Sequence, residues 1–199
     1  MPINYKLKYD INAAMHYNRA AQCLEVFNEH NNPNYLFYAS LELRNCIERF
    51  LFEQLVLIHL DEEKLHKFKN EYRTKNFRRA ILESEPQYYE KIEFMNIYFE
   101  ALGAPFKIPE PDFDTLDTFY GRLGNYLHSL KMPSVSTESP EWWESFHSLL
   151  GDIMNFMAEL LRYPQAHFKL NETGNKIFED YLNGEKNREE VIISIQEDL

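Results

Sequence analysis

The sequence predicts a mainly α-helical fold, an antiparallel helical bundle that carries a small C-terminal β appendage. Apolar residues recur at three- and four-residue steps along most of the chain, which places them on one face of each helix. Only 6 glycines and 9 prolines occur among 199 residues, which is little turn material for a many-stranded sandwich or barrel. We expect the bundle to span residues 1–164 and the appendage residues 165–199.

Two helices are predicted in the first third of the chain. Asp10 or Asn12 can cap the first, which ends at the polar cluster 30–34. The second runs from Tyr35 to about Leu60, and its length makes it a central helix of the bundle. The apolar face of this second helix consists of Leu36, Ala39, Leu43, Cys46, Ile47, Phe50 and Leu51.

The middle of the chain predicts two shorter helices and a loop. Thr74 can cap a helix that ends near Pro86. The next helix stops at Gly103, and its apolar face consists of Ile92, Met95, Phe99 and Leu102. Three prolines make 104–111 a connecting loop, because proline does not fit a helix interior.

Two long helices are predicted after this loop, followed by the appendage. Asp114 can cap the first, which reaches about Leu130. The second opens with Ser139-Pro140-Glu141, a cap, a first-turn proline and a first-turn acid, and runs to about Tyr163. In the appendage, short strands are predicted at 167–170 and 191–195, separated by a turn at Gly174 and a short helix at 176–182.

Composition and charge exclude several classes of protein. With 44% hydrophobic residues, the chain has enough apolar material to bury a core, so intrinsic disorder is excluded as the main state. The chain carries 21 Lys and Arg against 32 Asp and Glu, a net charge of −11 at pH 7. A protein that coats nucleic acid needs a dense field of basic residues, so this class is disfavoured while a local phosphate site is not.

Cysteine usage and the apolar runs predict a cytoplasmic location. Cys23 and Cys46 form no C-x-x-C motif, and both lie on predicted apolar helix faces, where a free thiol is commonly a small buried hydrophobe. The first residues lack the apolar run of a signal peptide. The longest apolar run, 50–60, is too short to span a bilayer, so no membrane association is expected.

The common catalytic motifs are absent, and two charged clusters have ordinary explanations. No P-loop, dinucleotide-binding, α/β-hydrolase or zinc-protease string occurs. His59 and His66 flank an acidic stretch, but their spacing matches no common zinc signature, so a solvated helix end is preferred to a metal-dependent hydrolase. The basic cluster at 73–79 could steer a polyanion or simply be a solvated helix face. No metal or cofactor is expected.

The stretch 119–130 carries the most informative pattern. Arg122 and His128 lie on one predicted helix and offer a cation for a phosphate and an imidazole that can move protons near neutral pH. This pair suits metal-free cleavage of RNA, in which histidine transfers a proton and arginine stabilises charge on the phosphate. A solvent-facing arginine and a core-edge histidine are the structural alternative.

Helix geometry separates the two groups. Six residues place Arg122 and His128 about 120° apart and about 9 Å along the axis, whereas Asn125 and His128 share a face. Asn125 is therefore the better-placed neighbour of the histidine. Either Arg122 reaches round the helix, or Gly121 and Gly124 relax it, or a symmetric copy brings the groups together.

Two stretches of the chain resemble the HEPN superfamily (higher eukaryotes and prokaryotes nucleotide-binding). Residues 39–48, with Arg44 and Glu48, are similar to the family's pattern of small residues, an arginine and a glutamate on the second helix. Arg122 to His128 matches its R-x4-6-H motif late in a helical bundle. The likeness covers about residues 10–163 as architecture, and only these two stretches as motif.

The resemblance implies a metal-independent endoribonuclease that acts as a homodimer on RNA, as a bacterial toxin or antiviral defence effector, with an antitoxin or another protein as a partner. Arg122 would bind the phosphate and His128 would be the catalytic histidine. Active members commonly carry a polar residue after the arginine, where this chain has Leu123, and Asn125 can take that role. Arg44 and Glu48 would support the site if they face the His128 helix.

A non-catalytic helical interaction or nucleotide-binding module is the alternative. Some members of the same superfamily lack activity, and the net charge of −11 fits a binding role more easily. The β appendage and Trp143 are the candidate binding features. In the Trp142-Trp143 pair, one indole can enter the core while the other covers a loop or faces a partner.

Overall fold

A computed structural model describes residues 12–58, 74–129, 139–162 and 170–198, and these ranges contain eight helices and no strand. The helices are α1 (Ala13–His30), α2 (Asn34–Ile58), α3 (Thr74–Ser84), α4 (Tyr88–Ala101), α5 (Phe113–Ser129), α6 (Pro140–Leu161), α7 (Glu172–Leu182) and α8 (Arg188–Glu197). The predicted mainly α-helical class is confirmed. Among the described helices, none combines the length and the apolar character needed to cross a membrane.

The chain divides into two compact units, each made of two stretches. The first unit is Met1–Glu53 with Leu116–Met157, and the second is Gln54–Thr115 with Ala158–Leu199. The domain boundary predicted near residue 164 falls in 163–169, outside the described residues, and stays a prediction.

The first unit begins with α1 and α2, and local signals fix the connection between them. The Asn12 side chain caps α1 by accepting a hydrogen bond from the Met15 backbone N–H at 2.9 Å. Asn31 ends the helix in the left-handed region, with φ of 50°, and its N–H donates to the Phe27 carbonyl at 2.7 Å. The seven apolar residues predicted for the buried face of α2 are all at most 1% exposed. The first two predicted helices are therefore confirmed.

The second part of this unit contains most of α5 and α6. The Ser139 hydroxyl accepts a hydrogen bond from the Trp142 N–H at 3.2 Å, which confirms the predicted start of α6. The fully buried residues of these two helices within the unit are Leu116, Leu123, Phe146, Leu149, Leu150, Ile153 and Met157. They recur at helical spacing, so each helix keeps an opposite face for solvent.

In the second unit, α3 and α4 are followed by the predicted loop at 104–111. Gly103 ends α4 with φ of 71°, as the glycine signal predicts. The Asn96 side chain holds the loop at Ile108, accepting from its N–H at 2.6 Å and donating to its carbonyl at 3.0 Å. Leu102, predicted on the apolar face of α4, is instead 45% exposed, because it lies just beyond the last helical turn.

The predicted C-terminal β appendage is not seen in the described residues, and its strand at 191–195 is wrong. Residues 191–195, expected as a strand, lie inside α8, while 167–169 of the other expected strand lie outside the described residues. Asn187 and Glu190 form a capping box that starts α8. Val191 and Ile195, four residues apart, then share one helical face that packs with α4 and α7. Helical capping and packing override the strand preference of the β-branched run.

Two local predictions are also corrected. The turn expected at Gly174 is the first turn of α7, where the Gly174 N–H donates to the Asn171 side chain at 2.7 Å. The cap expected at Asp114 is provided by Asp112, whose side chain accepts from the Thr115 N–H at 3.0 Å and from its hydroxyl at 2.7 Å. These hydrogen bonds lower the pKa of Asp112, because they stabilise its carboxylate. The helix predicted at 176–182 is confirmed within α7.

Candidate functional site

The three polar residues of the predicted motif lie on the solvent face of α5. Arg122, Asn125 and His128 are all exposed, while the intervening Leu123 and Gly124 are buried. A helix of 3.6 residues per turn produces this division, because Asn125 lies about 60° from each of the other two. The helix therefore presents the cation, the amide and the imidazole on one continuous face.

The side chains on this face are open to a ligand. Within the described ranges, Arg122, Asn125 and His128 form no side-chain hydrogen bond and no ion pair. The core-edge alternative for His128 does not describe its position, since the imidazole is exposed. Arg122 and His128 still lie about 120° apart and about 9 Å along the axis, so one helix does not point both groups at a single atom.

Leu123, the departure from the family pattern, has a structural explanation. Its side chain is 0% exposed and belongs to the buried face of α5. A polar side chain at this position would need a buried hydrogen-bond partner. The exposed polar position beside the arginine is instead Asn125, one helical turn further along.

Arg44 and Glu48 both contact the same residue of α5, Tyr120. The Arg44 guanidinium donates to the Tyr120 hydroxyl at 2.6 Å, and that hydroxyl donates to the Glu48 carboxylate at 2.5 Å. The guanidinium also lies over the Tyr120 ring, with 4.3 Å from Cζ to the ring centroid. Burial, followed by the hydrogen bond to Glu48, raises the pKa of Tyr120, so the phenol stays protonated and donates.

Arg44 also lies beside Gly124 of α5, at ordinary van der Waals distance. A Cβ added at Gly124 would sit 3.7 Å from Nη1 of Arg44. The two residues of the predicted second-helix motif thus do face the helix that carries His128. They hold α5 two residues before Arg122 and act by positioning, since the contact is made through Tyr120.

An aromatic pocket beside Arg122 has no counterpart in the sequence prediction. A cavity of about 300 Å³ is lined by Arg122, Asn125, Tyr126 and Trp142. The sequence analysis expected one indole of the Trp142-Trp143 pair in the core and the other over a loop or facing a partner, with Trp143 as the candidate binding residue. No local pattern connects Trp142 with Tyr126. Trp143 contacts Trp142 and Phe37, with ring centroids 4.7 and 5.8 Å away, and does not line the cavity.

The cysteines have the properties of structural residues. Cys46 is fully buried, and burial raises the pKa of its thiol to about 12. Burial also raises the pKa of Cys23. Both are free thiols. A raised pKa leaves little thiolate near neutral pH, so neither thiol is suited to nucleophilic attack.

The other charged clusters contribute little to the site. His59 and His66 lie outside the described residues, and the described ranges contain no group of three or more side chains that could hold a metal ion. Of the basic cluster, Arg73 is outside the described residues and Arg78 forms an ion pair with Asp114. Lys75 and Arg79 are exposed on α3.

Comparisons of this chain with protein-family models, with curated proteins and with solved structures give no match. The function of the α5 face is therefore inferred from its own geometry and chemistry.

Proposed function

We propose that the chain is a metal-independent endoribonuclease of the HEPN type that acts as a homodimer. The observation that carries this proposal is the common exposure of Arg122, Asn125 and His128 on one face of α5, without side-chain partners among the described residues. Charged and polar groups that a fold leaves unpaired on a positioned helix are available to a substrate.

The proposed chemistry assigns one role to each group. An imidazole of His128 removes the proton from a ribose 2′-hydroxyl, whose oxygen attacks the adjacent phosphorus. The bond from phosphorus to the 5′ oxygen breaks, and an imidazole protonates that oxygen as it leaves. Arg122 stabilises the charge on the non-bridging oxygens, and Asn125 can hydrogen-bond to the same phosphate or to the ribose. The products are a 2′,3′-cyclic phosphate and a 5′-hydroxyl.

The angular separation on α5 supports a dimeric site. One helix directs Arg122 and His128 about 120° apart, so a single copy cannot aim both at one phosphodiester without distortion. A two-fold axis beside α5 would place the arginine of one copy next to the histidine of the other. It would also supply two imidazoles, one to accept a proton and one to donate it.

The test is RNA cleavage in the presence of EDTA by the purified chain. We expect cleavage, with cyclic-phosphate ends, and a loss of about 10²–10⁴-fold in His128→Ala, the range contributed by general acid–base catalysis. Arg122→Ala should lose activity for lack of phosphate stabilisation. Both side chains are exposed, so circular dichroism should show an unchanged fold.

Matched controls are available on the same protein. His30→Ala and Arg162→Ala remove an exposed histidine of α1 and an exposed arginine just after α6, with side chains 67% and 61% exposed. These variants should cleave like the natural chain. Cleavage that survives in both His128→Ala and Arg122→Ala, or that EDTA abolishes, contradicts the proposal. If the enzyme is a toxin or defence effector, its expression in bacteria should arrest growth and His128→Ala should relieve the arrest.

A second candidate is a non-catalytic interaction module, favoured by two exposed apolar side chains on α2. Tyr38 is 56% exposed and Leu41 47% exposed, one helical turn apart. Neighbouring exposed apolar side chains of this kind are typical of protein-binding surfaces. A folded, purified chain that cleaves no RNA and forms a complex lost in Leu41→Ser would support this candidate over the nuclease.

A further inference from the structure

The cavity beside Arg122 combines two kinds of lining that are seldom found together on a surface. Tyr126 and Trp142 give it an aromatic wall, and Arg122 and Asn125 give it a cation and an amide. At about 300 Å³ it lies at the small end of ligand-binding pockets. This size suits a single ring system with its attached groups.

The aromatic wall is fixed before any ligand arrives. The Tyr126 ring stacks on Phe146 with centroids 4.3 Å apart and an interplanar angle of 7°. Trp142 meets Tyr126 edge to face at 5.0 Å and lies 5.5 Å from Phe146. Phe146 is fully buried, whereas Tyr126 and Trp142 are half-buried and keep part of each ring open. A wall held in this way binds a flat ligand without first being ordered.

The polar lining carries the groups that an unpaired nucleotide needs. Arg122 and Asn125 are exposed and three residues apart, so both extend from the same side of α5. A guanidinium binds phosphate through two parallel hydrogen bonds. A carboxamide offers a donor and an acceptor side by side, which matches the edge of a nucleobase.

We propose that this pocket binds one unpaired base of a single-stranded RNA, next to the bond that is cut. The base stacks on the Trp142 ring and contacts the inclined Tyr126 ring beside it. Asn125 hydrogen-bonds to the edge of the base, and Arg122 binds the attached phosphate. The inference rests on the proposed ribonuclease function and adds to it a subsite for one base. A base inside a duplex is stacked and paired, and its faces are not available to these rings.

Binding is measured with a fluorescent single-stranded 2′-O-methyl oligoribonucleotide, which lacks the attacking hydroxyl and stays intact on the natural chain. Base stacking on an aromatic side chain is worth about 1–3 kcal/mol, so Trp142→Ala should weaken binding about 5- to 150-fold. Trp142→Phe keeps an aromatic face and should weaken binding less than Trp142→Ala does. The same oligonucleotide annealed to its complement should bind weakly.

Two further variants separate recognition from folding. Asn125 is exposed, so Asn125→Ala tests the base edge without disturbing the core and should weaken binding about two- to tenfold. Asn18→Ala is the matched control, because this exposed asparagine of α1 does not line the cavity and its removal should leave binding near the natural value.

The outcomes of the binding and cleavage measurements test the subsite and the nuclease separately. Three results would each overturn the subsite. The first is natural affinity in both Trp142→Ala and Asn125→Ala. The others are equal affinity for single strand and duplex, and no binding of the single strand at all. If Trp142→Ala unfolds, Trp142→Phe and Asn125→Ala decide. Binding that depends on Trp142 and Asn125, without RNA cleavage by the natural chain, keeps the subsite and rejects the nuclease. Cleavage with unchanged binding in both variants keeps the nuclease and rejects the subsite.

Discussion

The α5 face of the first unit and the C-terminal helices of the second unit differ in whether their cationic side chains form ion pairs. In the second unit, Arg188 pairs with Glu100, and Lys186 pairs with Asp180 at 3.5 Å. On α5, Arg122 and His128 are exposed without such partners among the described residues. Both regions are helical, so the difference lies in how their polar groups are used.

The comparison teaches where function is to be sought. Exposed ion pairs contribute little to stability, but each one leaves its cation less available to a ligand. Arg188 and Lys186 are thus occupied by ion pairs within the unit whose apolar cluster contains Phe94, Phe178, Val191 and Ile195. The α5 charges are held in position by Arg44, Glu48 and Tyr120 and remain available.

The largest expected effect separates the two regions by stability. Phe178 is 4% exposed and its ring lies 5.1 Å from that of Phe94. Phe178→Ala removes a buried ring and should lower the free energy of unfolding by about 3–5 kcal/mol, measured by urea denaturation. Ile193→Ala, at a position 54% exposed on α8, should change it by less than about 0.5 kcal/mol. Loss of RNA binding in Phe178→Ala while it is still folded would contradict the assignment of binding to the α5 face and of stability to the C-terminal cluster.

A smaller effect is expected at the contact that positions α5. Tyr120→Phe removes the hydroxyl that joins Arg44 to Glu48 and leaves both charges partly buried. Hydrogen bonds to charged groups are worth about 1.5–3 kcal/mol, and partial exposure reduces the expected loss to about 1–2 kcal/mol. This loss in the free energy of unfolding is measured by urea denaturation.

Tyr38→Phe is the matched control for this prediction, because it removes a hydroxyl from a tyrosine that is 56% exposed. Its stability should equal that of the natural chain. Unchanged stability in Tyr120→Phe would show that α5 does not depend on this hydroxyl.

The smallest effect concerns the start of α8. The Asn187 side chain accepts from the backbone N–H groups of Glu189 and Glu190 at 2.9 and 3.1 Å. Asn187→Ala leaves these donors without the cap. It should lower the free energy of unfolding by about 1 kcal/mol, measured by thermal or urea denaturation. Asn183→Ala, at the other end of the same connection, should cost less than half as much. Equal costs would mean that the cap does not set the start of α8.

Much of the fold could be predicted because local signals and packing agree. The stripe from Leu36 to Leu51 has helical spacing and is buried, and Asn12 and Ser139 cap the helices expected after them. At the C-terminus the signals conflict. The run at 191–195 is rich in β-branched residues, yet the signature Asn187-Arg-Glu-Glu190 marks a helix start, and the capping box with apolar contacts to α4 decides the outcome.

The candidate site could be predicted only in part. The spacing of Asn125 and His128 on one helix was enough to predict that these two side chains share a face, because helical periodicity is local. The pocket was not predictable, because Tyr126 and Trp142 belong to different helices and meet only through tertiary packing on Phe146. The burial of Leu123 was likewise settled by packing and not by the motif.

Gly121 adds a steric feature immediately before Arg122. A Cβ built at this position would have no heavy atom of the described residues within 4 Å. The helix surface is therefore notched here by the width of a missing methyl group, on the side that carries Asn125, four residues further along. A sugar ring settling into that notch would displace no side chain and could come nearer to the helix axis than it could over a bulkier neighbour.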